Sequence, residues 1–273
     1  MLFGLRNADR TPLSLDELAA ELAKTELICI GERHSNPHHQ QVQLELLRAL
    51  LDRARASGRE VGIGFEMLAV HHQKYLDRFA AGKMSLRELP AATAWQETWG
   101  FPFEYYRPLF REAHRRGAAL LALNAASSLV EAVAARGTAG LDRDRRRKLP
   151  DIDFANEQHR AFFEESMRNH PPTGHRMSHL YEAQLVWDET MAATAAAWIS
   201  ERRPLRQLVV VAGAEHCRNP AIPGRVQRRL AGVRTASAQP QLAGDGESAQ
   251  PEPGYDFTLV LASEPAPLPV PGS

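Results

Sequence analysis

The chain has 273 residues, 44% of them hydrophobic, which is enough to bury a large core in one elaborated domain or two small ones. Lys plus Arg equals Asp plus Glu at 33 each, so no overall field favours nucleic acid or an anionic membrane. Two cysteines make no disulfide framework, and no apolar run approaches the roughly 20 residues of a membrane span.

Residues 1–25 contain Ser14 and Glu17 in capping-box spacing ahead of Leu18, which predicts a short lead-in helix. No sustained apolar stretch with a small-residue cleavage pattern occurs there, so no secretory signal is expected and the chain reads as cytoplasmic. Leu27 to Ile30 has the β-branched content of a buried strand, with Cys29 read as a small buried hydrophobe. Gly31 ends the run, and Glu32, Arg33 and His34 follow it at once. Asn36 as N-cap and Pro37 at the first helical position then open a helix over about His38 to Ala56. Its apolar side takes Val42, Leu46, Leu47, Leu50, Leu51 and Ala54, and Gly58 is its stop. Glu60 to Phe65 is a second strand, followed by Glu66, so residues 26–66 read as a parallel strand–helix–strand crossover.

From Val70 to Phe110 the pattern is helical and aromatic, with Trp95, Trp99, Phe101, Phe103, Tyr105 and Tyr106 predicted to lie over one end of the sheet. The pairs His38-His39 and His71-His72 read as surface residues near helix starts. Ala118 to Leu123 is a third strand, followed by Asn124 and a helix from about Ser127 to Ala135. The basic run Arg143 to Lys148 reads as a solvated face. Helices follow at about Phe154–Asn169 and Ser178–Glu201, the second placing Gln184 and Asp188 four apart on one face. Gln207 to Ala212 is a fourth, strongly β-branched strand, followed by Gly213, Ala214, Glu215, His216 and Cys217, the last assigned to packing. A helix at Val226–Leu230 and a strand at Gly232–Ser237 precede a Gly/Pro/Ser-rich stretch at 238–254 that reads as a flexible insertion. A returning strand at 255–262 and a Pro-rich tail at 263–273 complete the chain.

Polar residues directly follow all four apolar runs. If those runs are parallel, Glu32, His34, Glu66, Asn124, Glu215 and His216 converge on one sheet edge, the edge where open α/β sheets bind ligands. Two chemistries suit such a crevice. His34, Glu66 and His216 could hold a divalent metal with an open position, with Glu32, Glu66 or Glu215 as a general base for hydrolysis and Asn124, Gln184 and Asp188 around them. Alternatively the aromatic cluster with Tyr105 and Tyr106 could line a haem cleft, since haem iron accepts Tyr or His. Cys-x-x-Cys-His is absent, which excludes that route to covalent haem. Gly-x-Ser-x-Gly, P-loop and Gly-x-Gly-x-x-Gly patterns are absent too, and Gly62-Ile-Gly64 is too little to argue for a nucleotide.

Several segments resemble the ChaN-like haem-binding proteins of the haem-binding-uptake/Tiki grouping. They are Gly31-Glu-Arg-His34 with Asn36-Pro-His-His39, Phe65-Glu66-Met67, Trp95 to Trp99, Tyr106-Arg-Pro-Leu109, Ala122-Leu-Asn124, Ala183-Gln184 through Ala192, and Gly213-Ala-Glu-His216 with Ile222-Pro223. The resemblance spans roughly 26–232 and implies a mainly parallel α/β domain at 26–237, with helical insertions at about 70–115 and 140–200. It further implies non-covalent haem, a role in haem acquisition or handling, and a homodimer around stacked haems with tyrosine on the iron. Tyr106 is the first ligand candidate on that footing, with Tyr105, His34 and Arg33 as further haem contacts. Tiki-type relatives resemble metal-dependent peptidases, whose paired Gly-x-x-His motifs correspond to Gly31…His34 and Gly213…His216, with Glu66 between.

Overall fold

The computed structural model of the protein describes residues 2–168, 174–242 and 251–261. The four apolar runs become β3 (Leu27–Glu32), β4 (Glu60–Ala69), β5 (Ala119–Asn124) and β6 (Arg206–Gly213) of one eight-stranded sheet. The remaining strands are β1 (Leu2–Arg6), β2 (Pro12–Ser14), β7 (Thr235–Leu242) and β8 (Phe257–Leu261), in the spatial order β2-β1-β8-β7-β3-β6-β4-β5. Strands β3 to β8 pair in parallel, while β1 runs antiparallel to both β8 and β2.

The helices are α1 (Leu15–Leu22), α2 (Pro37–Ser57), α3 (Gln73–Ala80), α4 (Leu89–Ala92), α5 (Trp95–Thr98), α6 (Phe103–Arg116), α7 (Ser127–Arg136), α8 (Arg143–Arg146), α9 (Glu157–Arg168), α10 (Met177–Ser200), α11 (Ala214–Cys217) and α12 (Ile222–Arg229), with a 3-10 turn at Val70–His72. Local sequence explains several of their ends. Ser14 and Glu17 form the expected capping box, and Asn36 accepts from the His38 N–H ahead of Pro37. Gly58 closes α2 in the left-handed region at φ 69°.

Why the strands read as unbroken apolar runs is plain from their packing. Ile28, Ile30, Ile63, Phe65, Val209 and Val211 pack on one face with α1, α2 and α6, while Leu27, Cys29, Leu208, Val210 and Ala212 pack on the other with α10 and α12. A parallel sheet covered on both faces needs apolar residues at both parities of the strand. Gly62 and Gly64 serve this packing: a Cβ there would approach Trp198 to 2.8 Å and Leu123 to 2.5 Å.

Three expectations are corrected. Residues 1–25 hold two strands besides the lead-in helix, and β1 finds its partner β8 at the other end of the sequence. The stretch at 238–254 is not flexible throughout, since β7 runs to Leu242; residues 243–250, like the Pro-rich tail, lie outside the described residues. Cys29 and Cys217, assigned separately to packing, form a disulfide across a separation of 188 residues. It ties β3 to α11 within the second face of the core.

Candidate functional site

The order β3-β6-β4-β5 brings four carboxyl ends together, and each delivers a polar group. Glu32 ends β3 and is 2% exposed. Glu66 lies within β4, where the register against β5 shifts between Phe65 and Ala69. Asn124 ends β5, and its Nδ2 donates to the Glu66 carbonyl at 2.9 Å. Gly213 ends β6, and its N–H donates to Glu66 Oε2 at 2.5 Å. His216 follows on α11, directly before the disulfide-bonded Cys217.

Two hydrogen-bonded clusters meet at this edge. In the first, the Tyr106 hydroxyl donates to Glu32 Oε1 at 2.5 Å, and His34 Nδ1 reaches the same oxygen at 2.9 Å. The His34 ring stands edge-on to Trp99 at 4.5 Å. In the second, His216 Nε2 faces Glu66 Oε1 at 3.2 Å and its Nδ1 faces Asp188 Oδ1 at 2.6 Å. Asp188 is fully buried; its Oδ2 accepts from His159 Nε2 at 2.9 Å and from Gln184 Nε2 at 3.3 Å. His159 Nδ1 in turn lies 3.2 Å from the Tyr181 hydroxyl. Gly213 sits where the clusters adjoin: a Cβ there would come within 2.9 Å of the His34 ring and 3.5 Å of Glu66 Oε2.

Charge separation holds the second cluster together. Burial opposes the charge on His216, but the Glu66 and Asp188 carboxylates outweigh it and raise its pKa well above 6.5. Burial likewise opposes ionisation of Glu66 and Asp188, yet both are driven below the ordinary carboxylate range by the His216 charge and their hydrogen bonds. At His34 the burial penalty is overcome by the Glu32 hydrogen bond and the nearby Glu66 charge, so its pKa is raised. Burial and the Glu32 charge push the Tyr106 hydroxyl upward, which keeps it a donor.

A cleft of ≈ 410 Å³ opens over these groups, lined among others by His34, Glu66, Met67, Trp99, Trp187 and His216. His71 and His72 line it too, so the second histidine pair reaches the crevice mouth. His39 and His72 are buried, not at the surface as expected. Burial and neighbouring cations push each down to about 4, and His39 Nδ1 accepts the Arg33 N–H at 3.0 Å.

The other expected site residues fall elsewhere. Tyr106 is fully buried with its hydroxyl committed to Glu32, and Tyr105 packs half-buried against the main core. The Arg33 side chain is exposed, and Glu215 turns to Arg218 at 3.1 Å. Of the expected metal set, Glu66 and His216 face each other in one cluster and His34 lies in the other. Among the described residues no group of three His, Cys, Asp or Glu is arranged to hold a metal ion. His216 has a carboxylate against each ring nitrogen, so its contact with Glu66 is a hydrogen bond within a salt-bridged cluster. Sequence reasoning passed over His159 and Tyr181: a lone histidine in a polar helix carries no signal of a buried aspartate on another helix.

A family model described as haem-binding uptake, Tiki superfamily, ChaN matches residues 18–226. The structure of cofacial haem binding to ChaN of Campylobacter jejuni is similar over 94% of this chain and 96% of that one, with TM-score 0.74 and 18% identity. At that identity the likeness speaks for the fold. The erythromycin esterase mutant EreC H289N covers 95% of this chain and 82% of its own at TM-score 0.48 and 12% identity. The type III effector HopBA1 covers 90% and 92% at TM-score 0.45 and 14% identity; neither likeness carries further weight. No curated protein matches the sequence.

Proposed function

The chain belongs to the ChaN family of the Tiki superfamily, and from that premise we propose that it binds haem non-covalently in the cleft at the carboxyl ends of β3 to β6. One observation carries the reading. His34 lines the cleft and uses Nδ1 on Glu32, while among the described residues no hydrogen bond occupies its Nε2, which lies over Gly213. A carboxylate on one imidazole nitrogen fixes the tautomer and raises the basicity of the other, the usual arrangement of an iron- or zinc-binding histidine. Haem would supply an iron with an open axial position and a broad apolar face. This chain's own residues would supply the donor at His34 Nε2, and Trp99, Met67 and Trp187 as apolar walls. Tyr106 then acts at one remove: it holds Glu32, which orients His34.

Within this reading the protein serves haem acquisition or handling, and two copies pair around the ligand as the resemblance implies; sedimentation with and without haemin tests the pairing. The test of binding is a haemin titration followed at the Soret band. Wild type is expected to saturate with a shifted band. His34→Ala should weaken binding at least tenfold and alter the band, while Tyr106→Phe should stay within a few-fold. Wild type that binds no more haemin than a control protein would end the proposal.

A further inference from the structure

The disulfide lies within the framework of the site, and its two ends are not equally free to move. Cys29 sits on β3, paired with Val210 of β6 on one side and Ser237 of β7 on the other. Cys217 closes α11, a single turn of four residues, and Arg218 after it is already extended. Both cysteines are fully buried in the second face of the core. Bonded sulfurs lie closer together than two thiols in van der Waals contact can. In a core packed without voids, reduction must therefore push the two sulfurs apart. Strand β3 cannot yield without breaking the sheet on both sides, so the displacement falls on α11. Besides the bridge and the carboxylates on His216, that turn is held by the Tyr255 hydroxyl, which donates to the Ala214 carbonyl at 2.5 Å. The site leans on the same turn at three points. A Cβ on Gly31 would meet Ala214 at 3.0 Å, the His34 ring lies against Gly213, and His216 joins Glu66 to Asp188.

We propose that Cys29 and Cys217 form a redox switch: the bridge holds the cleft in its binding shape, and reduction to two thiols shifts α11, parts His216 from Glu66 and weakens ligand binding. The binding half of this inference rests on the haem reading of the cleft; the movement of His216 does not. The reductant is a dithiol. One of its thiolates attacks a bridge sulfur to form a mixed disulfide and frees the other cysteine as a thiolate, which takes up a proton. The second thiol of the reductant then displaces the remaining cysteine. Two electrons and two protons pass to the protein, and the reductant leaves as its own disulfide. Ala214 and Glu215 are partly exposed, so local opening of this one turn, and not of the sheet, admits the dithiol.

The experiment compares the oxidised protein with protein reduced by dithiothreitol, which is then removed under anaerobic conditions. Thiols are counted, haemin is titrated into both forms, and the His216 ring signal is followed by NMR, assigned by its loss in His216→Gln. Cys29→Ala, which has neither the bridge nor a second sulfur to crowd Cys217, is carried through the same steps. Reduced wild type should keep its fold, show two thiols and give a shifted His216 signal. It should bind haemin at least tenfold more weakly, because Glu66 is left a buried carboxylate without its partner. Cys29→Ala should keep the signal and affinity of the oxidised form with and without the reductant. If that variant does not fold, reoxidation of reduced wild type serves instead and should restore both signal and affinity. Two thiols with an unmoved His216 signal and unchanged affinity overturn the switch and spare the haem reading. A bridge that opens only when the protein unfolds does the same. An equal loss of affinity in reductant-treated Cys29→Ala places the effect outside the bridge and also overturns the switch. A shifted His216 signal in protein that binds no haemin in either form supports the switch and ends the haem reading.

Discussion

At the scale of single residues the site is governed by which carboxylate each imidazole faces. His34 shares Glu32 with Tyr106, and His216 lies between Glu66 and Asp188. The second arrangement makes stability depend on pH. The pKa values of Glu66 and Asp188 are lowered by folding, so their contribution is in place above about 4 and is lost as pH falls through the folded values. That of His216 is raised, so its contribution is complete below 6.5 and is lost as pH rises through the folded value. The protein should therefore be most stable between about pH 4 and a limit above 6.5. Denaturation measured between about pH 6 and 9 should show an alkaline decline in wild type that His216→Gln flattens. Parallel curves for the two proteins would contradict the assigned charge on His216. The sequence made Glu32, His34, Glu66, Asn124 and His216 legible because each follows or ends an apolar run. It did not show that the Tyr106 hydroxyl points inward to Glu32, since the aromatic pattern of α6 fits either direction.

At the scale of elements the disulfide is the main addition to the sequence reading. It joins β3, which carries Glu32, to α11, which carries His216, and so fixes the two sides of the site. In the chain-entropy picture a bridge closing so long a loop contributes on the order of 3–5 kcal/mol. Thiol titration of protein prepared without reductant should find no free cysteine, and Cys29→Ala with Cys217→Ala should lower unfolding free energy by about that amount. Two free thiols in unfolded wild type would refute the bridge. Disulfides persist mainly in oxidising compartments, so the same titration on protein from its native cells tests the expected cytoplasmic location. Nothing local marks either cysteine, because each sits in a short apolar stretch that packing alone explains. Strand β1 was hidden for a related reason: it is five residues long and its partner β8 comes at the far end of the chain.

At the scale of the whole molecule, parallel pairing concentrates chemistry at one edge of the sheet. The long helices α2 and α10 cover its faces, and the short pieces from Val70 to Thr98 rise beside the carboxyl ends to form a wall of the cleft. This much was legible, since parallel strands covered on both faces must be apolar throughout and the helical excursion interrupts their rhythm. The buried link from His216 through Asp188 to His159 and Tyr181 was not, because it depends on how α9, α10 and α11 approach one another in space. Amide hydrogen exchange with and without haemin locates the bound haem directly. With haem in the cleft, exchange should slow at residues 33–35, 66–72, 98–101 and 124–128, the segments that border the cleft, with α8 and the β1–β2 hairpin unchanged. Protection confined to α8 or to that hairpin, or no protection at saturating haemin, would contradict it.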